Sequence, residues 1–131
     1  SDADAERDNM ERADVFIGHF PSGTSLKNVV KWQQGTQVDA FRKFDYGVEE
    51  NRKRYGQDLP PNYNLSNIEH KVHLFSGGED LLSNPTDVQR LKEELRNSEL
   101  KVYPKMGHLT FMTGIDMSFM NDVIVALQER N

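Results

Sequence analysis

The stretch "KVHLFSGGEDLLSNPTDVQRLKEELRNSELKVYP", residues 71–104, runs from an apolar segment through a glycine turn into a helix and out to a second apolar segment. "KVHLFSG" (71–77) reads as a short strand buried on both faces, because apolar residues occupy both of its parities. The helix carries its own start signal: Asn84 as N-cap, Pro85 at the first helical position and Asp87 in the first turn. Val88, Leu91 and Leu95 then recur at helical spacing, and "ELKVYP" (99–104) is the second strand. The turn "KMGHLTFMTG" follows, and then a helix in "DMSFMNDVIVALQERN" whose Phe119, Met120, Val123, Ile124 and Leu127 form one apolar stripe. Strand, loop, helix, strand, loop, helix is the order of a parallel sheet in an α/β protein.

Upstream, the prolines and asparagines of "DLPPNYNLS" (58–66) break the pattern and mark a boundary. Before them lies a polar, irregular half. "FPSGTSLKNVVKWQQGTQ" (20–37) reads as a loop, with Thr24 as the cap of a helix that sets Leu26, Val29, Val30 and Gln33 on one side. "FRKFDYG" (41–47) is loop or short strand, its rings expected to pack on something. No internal repeat or low-complexity tract interrupts the chain.

At 131 residues the chain is the size of one modest domain able to bury a real core. A net charge of -5 argues against nucleic acid as a partner, since phosphate neutralisation needs a basic face. "NRKRYG" (51–56) is interleaved with "VEE" and reads as a solvated face. No apolar run reaches the roughly 18 residues of a membrane span. The opening "SDADAERDN" lacks a signal peptide's apolar stretch and reads as the edge of a fragment. The absence of cysteine removes disulfides, thiolate metal sites and thiol nucleophiles together. Asn64-Leu65-Ser66 fits the N-glycosylation acceptor pattern, a short signal that also arises by chance.

In a parallel sheet, ligands and catalytic groups gather past the carboxyl ends of the strands. Asp80 follows the first strand and His108 the second, so adjacent strands would bring their loops together. A carboxylate beside an imidazole fixes its tautomer and stabilises the imidazolium during proton transfer. Gly77, Gly78 and Gly107 suit the tight turns such a site needs. Singly, each residue has a bland reading: an Asp after Gly-Gly is usually a turn residue, and lone histidines are common on surfaces. Acid then histidine after successive strands is, however, the order of α/β-hydrolases. His19, His70 and His73 have no such setting, and a metal site built from them is not expected, since no pair shows ligand spacing on a helix. No G-x-S-x-G nucleophile elbow occurs in the chain.

The chain resembles the C-terminal portion of the acid lipase family, which includes gastric and lysosomal acid lipases. The resemblance is carried by "HFPSGTSLKNVVKWQQ" (19–34), "FRKFDYG" (41–47), "NRKRYGQDLPPNYNLSNI" (51–68), "SGGEDLLSNPTDVQRL" (76–91) and "GHLTF" (107–111), in the family's order. It implies the C-terminal part of an α/β-hydrolase fold: residues 1–60 the end of a helical cap, residues 61–131 the last core strands with their helices. It also implies that Asp80 is the triad acid and His108 the triad histidine, with the serine outside this chain. The implied activity is hydrolysis of triacylglycerols or cholesteryl esters without metal or organic cofactor, in a secreted or lysosomal enzyme. Asn64 falls where relatives carry a glycosylation sequon. One departure is local: where relatives typically have an Asp two residues after the histidine, this chain has Thr110.

Two other readings stand beside this one. A non-catalytic module derived from the same fold would bind lipid or a protein partner, and an upstream strand leading into G-x-S-x-G would argue against it. A hydrolase acting on an epoxide or thioester is disfavoured by the cap motifs. The expected partners are a lipid ester substrate and the missing N-terminal part of the same hydrolase. The sheet edge exposed without that part is expected to self-associate or to be covered by the N-terminal half.

Overall fold

The structure, a computed structural model, describes residues 6–129. Along the chain, α1 (Ala13–His19), α2 (Leu26–Gly35) and α3 (Val48–Tyr55) precede the sheet. Then come β1 (Val72–Gly77), α4 (Pro85–Glu94), β2 (Ser98–Tyr103), the one-turn α5 (Thr110–Thr113) and α6 (Phe119–Gln128). Contacts divide the chain into two units. One comprises the described parts of Ser1–Phe20 and Leu65–Asn131, the other Pro21–Asn64. The division falls within the proline-rich stretch, but residues 6–20 join the unit that contains the sheet.

In that unit β1 and β2 pair in parallel, from Val72 opposite Ser98 to Gly77 opposite Tyr103. The crossover is α4, capped as its sequence signals: the Asn84 side chain accepts from the Thr86 N–H at 2.9 Å, with Pro85 at the first position. Leu95, at the end of α4, is buried. Beyond β2, Tyr103, Phe111 and Phe119 meet edge to face, with the Phe111 and Phe119 rings 5.0 Å apart, which draws α5 and α6 to the end of the strand.

Several expectations are corrected. Val72, His73, Leu74 and Phe75 of β1 are half-buried, and burial is complete only at Ser76 and Gly77. Only Leu95 and Phe119 are buried large apolar residues among those described, so the real core expected from chain length is a small one. The α6 stripe buries Phe119 but leaves Met120, Ile124 and Leu127 exposed, Leu127 by 80%. Two strands offer too little surface to cover such a helix.

In the other unit the cap of α2 is Ser25, whose hydroxyl accepts from the Asn28 N–H at 3.1 Å, rather than Thr24. Thr24 instead accepts from the Asn28 amide group at 3.3 Å. Leu26 and Val29 are exposed. The "FRKFDYG" rings do find partners: Phe41 packs on Tyr63 at 4.7 Å, and Phe44 on Tyr46 at 4.7 Å. A single antiparallel bridge between Arg42 and Asn62 ties that segment down as a loop rather than a strand.

The polar centre of this unit is Asn51, 1% exposed. Its amide donates to Asp45 Oδ1 at 2.7 Å and to the Asp58 carbonyl at 2.9 Å, while its oxygen accepts from the Tyr46 N–H at 3.0 Å. These bonds tie α3 to the segments before and after it. Asn51→Leu removes three hydrogen bonds, although Asp45 Oδ1 still accepts from the Gly47 N–H, and we expect it to cost about 3 kcal/mol. A fall in the urea midpoint followed by circular dichroism checks this; an unchanged midpoint would contradict it.

Candidate active site

The site is built where β1 and β2 end side by side. Past β1, the Gly78 N–H donates to the Tyr103 carbonyl at 2.8 Å and the Glu79 N–H to the Met106 carbonyl at 3.1 Å. The acid loop is thereby laced to the histidine loop by backbone bonds. This approach requires glycine: a Cβ on Gly77 would stand 2.2 Å from the Met106 carbonyl oxygen, and one on Gly78 2.7 Å from that of Pro104. Both residues have ordinary φ, so closeness, not a left-handed backbone, selects glycine here.

Asp80 is 4% exposed. Its Oδ1 accepts from the Leu82 and Ser83 N–H groups, each at 2.8 Å, and its Oδ2 lies 3.0 Å from His108 Nδ1. Burial opposes the charged carboxylate, but the bonds from Ser83, His108 and Leu82 outweigh it and hold Asp80 below the usual carboxylate range. The histidine loop has its own support. Gly107 N–H donates to the hydroxyl of buried Thr110 at 3.2 Å, so Thr110 begins α5 and fixes the backbone beside His108. The His108 side chain is 41% exposed. Tyr103, at the end of β2, donates to Asp122 Oδ2 at 2.6 Å; burial and then this bond push its phenol upward.

The lowered Asp80 predicts a pH dependence. A carboxylate whose folded value lies below its unfolded one, about 3.9, adds stability above that value and loses it as pH falls through the folded value. Stability should therefore drop on acidification below about pH 4, and drop less in Asp80→Asn. Denaturant titrations of both proteins across that window check it, and identical slopes would count against it.

The structure thus brings Asp80 and His108 together. Asn64 lies elsewhere, exposed just before a 3-10 turn, Leu65–Asn67. A third group escaped helical spacing rules because sheet register assembles it. His73 pairs with Glu99 across the strands, and its ring nitrogens lie 3.6 Å from Glu99 Oε2 and 3.4 Å from Glu129 Oε2. Their ligand atoms lie within 4.8 Å of one another, as a metal would require. Lys71, however, pairs with both carboxylates, at 3.0 Å from Glu99 Oε1 and closely with Glu129. The cluster is accordingly an ion-pair network already supplied with its cation.

No family model matches the chain. It is 34% identical over 130 residues to human gastric triacylglycerol lipase, covering 96% of this chain and 33% of that protein. It is 32% identical over 130 residues to human lipase member K, again covering 96% and 33%. With human lysosomal acid lipase/cholesteryl ester hydrolase it shares 36% identity over 110 residues, covering 82% of this chain and 28% of that protein. The chain spans about a third of the length of the curated relatives it matches. With an α/β architecture like the C-terminal part of an α/β-hydrolase, the chain belongs to the acid lipase family.

Proposed function

We propose that the chain is the part of a secreted or lysosomal lipase that supplies the acid and base of a Ser-Asp-His triad acting on carboxylic esters of lipids. The observation that carries the reading is the 3.0 Å approach of Asp80 to His108 past two parallel strands, in a chain similar to gastric and lysosomal lipases. The Asp80 carboxylate accepts from Nδ1–H, which leaves Nε2 as the ring nitrogen that works on substrate. Nε2 takes the proton of a serine hydroxyl from the rest of the polypeptide as its oxygen attacks the ester carbonyl. The imidazolium, stabilised by Asp80, returns that proton to the departing alcohol and leaves an acyl-serine. Water then attacks, giving its proton to Nε2, and the serine recovers it as the fatty acid leaves. No step calls on a metal or organic cofactor.

Residues 21–60 fit the end of a cap, since they form a unit without the sheet, and residues 61–131 hold the site loops. Residues 7–20 pack with the sheet unit, which narrows the cap reading at its N-terminal side. The rest of the hydrolase is the partner we propose for the open sheet edge; self-association is its substitute in isolation. No helix among the described residues is long and apolar enough to cross a membrane. Exposed Asn64 suits a glycan, which a glycosidase-dependent mobility shift of the secreted protein checks.

The test is a chimera in which this chain replaces the matched third of human gastric triacylglycerol lipase. Hydrolysis of emulsified triacylglycerol that depends on Asp80 and His108 supports the reading. Activity indifferent to both residues, or a folded chimera that binds lipid without hydrolysing it, favours a binding module instead.

A further inference from the structure

Residues 7–9, ahead of α1, lie along the segment that follows the histidine loop. Asp8 forms an antiparallel bridge with Gly114, the Asn9 N–H donates to the Thr113 carbonyl at 2.6 Å, and the Ile115 N–H donates to the Arg7 carbonyl at 2.8 Å. Asp8 is 6% exposed, and its Oδ1 accepts from the Thr113 hydroxyl at 2.8 Å. A short strap is thus fastened to the end of α5. From it Arg7 reaches both site loops. Its Nη1 donates to the Lys105 carbonyl at 2.6 Å, in the histidine loop, and pairs with the carboxylate of Glu79, the neighbour of Asp80.

One guanidinium nitrogen therefore joins the loop that carries the acid to the loop that carries the base. Hydrogen bonds weaken steeply beyond their normal range, so relative movement of the loops by about 1 Å breaks one bond or the other. The ion pair is partly exposed, and such pairs contribute little to stability. Its effect lies in where it holds the loops. We propose that Arg7 is a positioning residue, which clamps the acid and histidine loops so that His108 keeps its Nδ1–H directed at Asp80. The proposal rests on the reading of Asp80 and His108 as an acid–base pair, and the test separates the two.

The readout is nitrogen NMR of the His108 ring in the 131-residue chain, at mildly alkaline pH where a neutral imidazole carries its proton on one nitrogen. Arg7→Gln, Glu79→Ala and Asp80→Asn are compared with the unaltered chain, with a melting curve for each. The proposal expects a dominant Nδ1–H form with a slowly exchanging low-field proton, and loss of that proton in all three variants. Loss in Asp80→Asn with retention in Arg7→Gln and Glu79→Ala overturns the clamp and leaves the pair standing, even if melting temperatures fall. A signal indifferent to Asp80→Asn defeats the pair and the clamp together. Should Arg7→Gln not fold, Glu79→Ala cuts the same link while leaving the Asp8 and Asn9 bonds in place, and decides alone.

Discussion

Replacing His108 by Ala in the gastric lipase chimera should lower kcat by about 10⁴-fold or more with little change in KM. The imidazole is the only group in the proposed reaction that both accepts the serine proton and delivers it to the leaving alcohol. Substrate affinity resides elsewhere, so the loss belongs to the chemical step. Asp80→Asn should cost somewhat less, about 10³- to 10⁴-fold. An amide can still sit beside Nδ1, but it no longer stabilises the imidazolium and presents a donor as readily as an acceptor. The two losses should not add, because the residues act as one unit. Initial rates on emulsified triacylglycerol for both single variants and the double variant check this. Additive losses would mean that the 3.0 Å contact has no catalytic meaning.

Gly77→Ala should also slow the reaction, by about 100-fold, although Gly77 touches no reacting atom. The added Cβ would stand 2.2 Å from the Met106 carbonyl oxygen, far inside contact distance, and the neighbour is backbone rather than a yielding side chain. Either β1 or the histidine loop must shift by about 1 Å, and a misplacement of that size costs roughly 100-fold in rate. The lacing bond from Glu79 N–H to that same carbonyl would go with it. Unlike the His108 variant, Gly77→Ala should also lower the melting temperature, since the displaced backbone loses hydrogen bonds. Full activity in Gly77→Ala would show that the loops adjust to each other without cost.

Much of the sheet unit was legible in the sequence because its signals are local. Asn84-Pro85 announces a helix start whatever surrounds it, and the two short strands flank that helix closely enough to pair in parallel. Asp80 and His108 stood out for the same reason, each following a strand. What could not be read depends on contacts between segments distant in sequence. Arg7 sits in a polar opening that gives no sign of the carbonyl it reaches at Lys105. Asn51 looks like one more polar residue in a charged helix, yet it is the most buried side chain of its unit. The exposure of Ile124 and Leu127 marks the opposite limit: an apolar stripe reports that a helix has a face to cover and says nothing of what covers it. Thr24 and Ser25 are both good caps, and only backbone geometry selects the second.

The most direct test of the acid–base pair is the rate at which a fluorophosphonate probe labels the nucleophilic serine of the chimera, since that step needs an activated serine and no lipid. The account predicts fast, saturable labelling that nearly disappears in His108→Ala and slows markedly in Asp80→Asn. Labelling equally fast in all three proteins would contradict it.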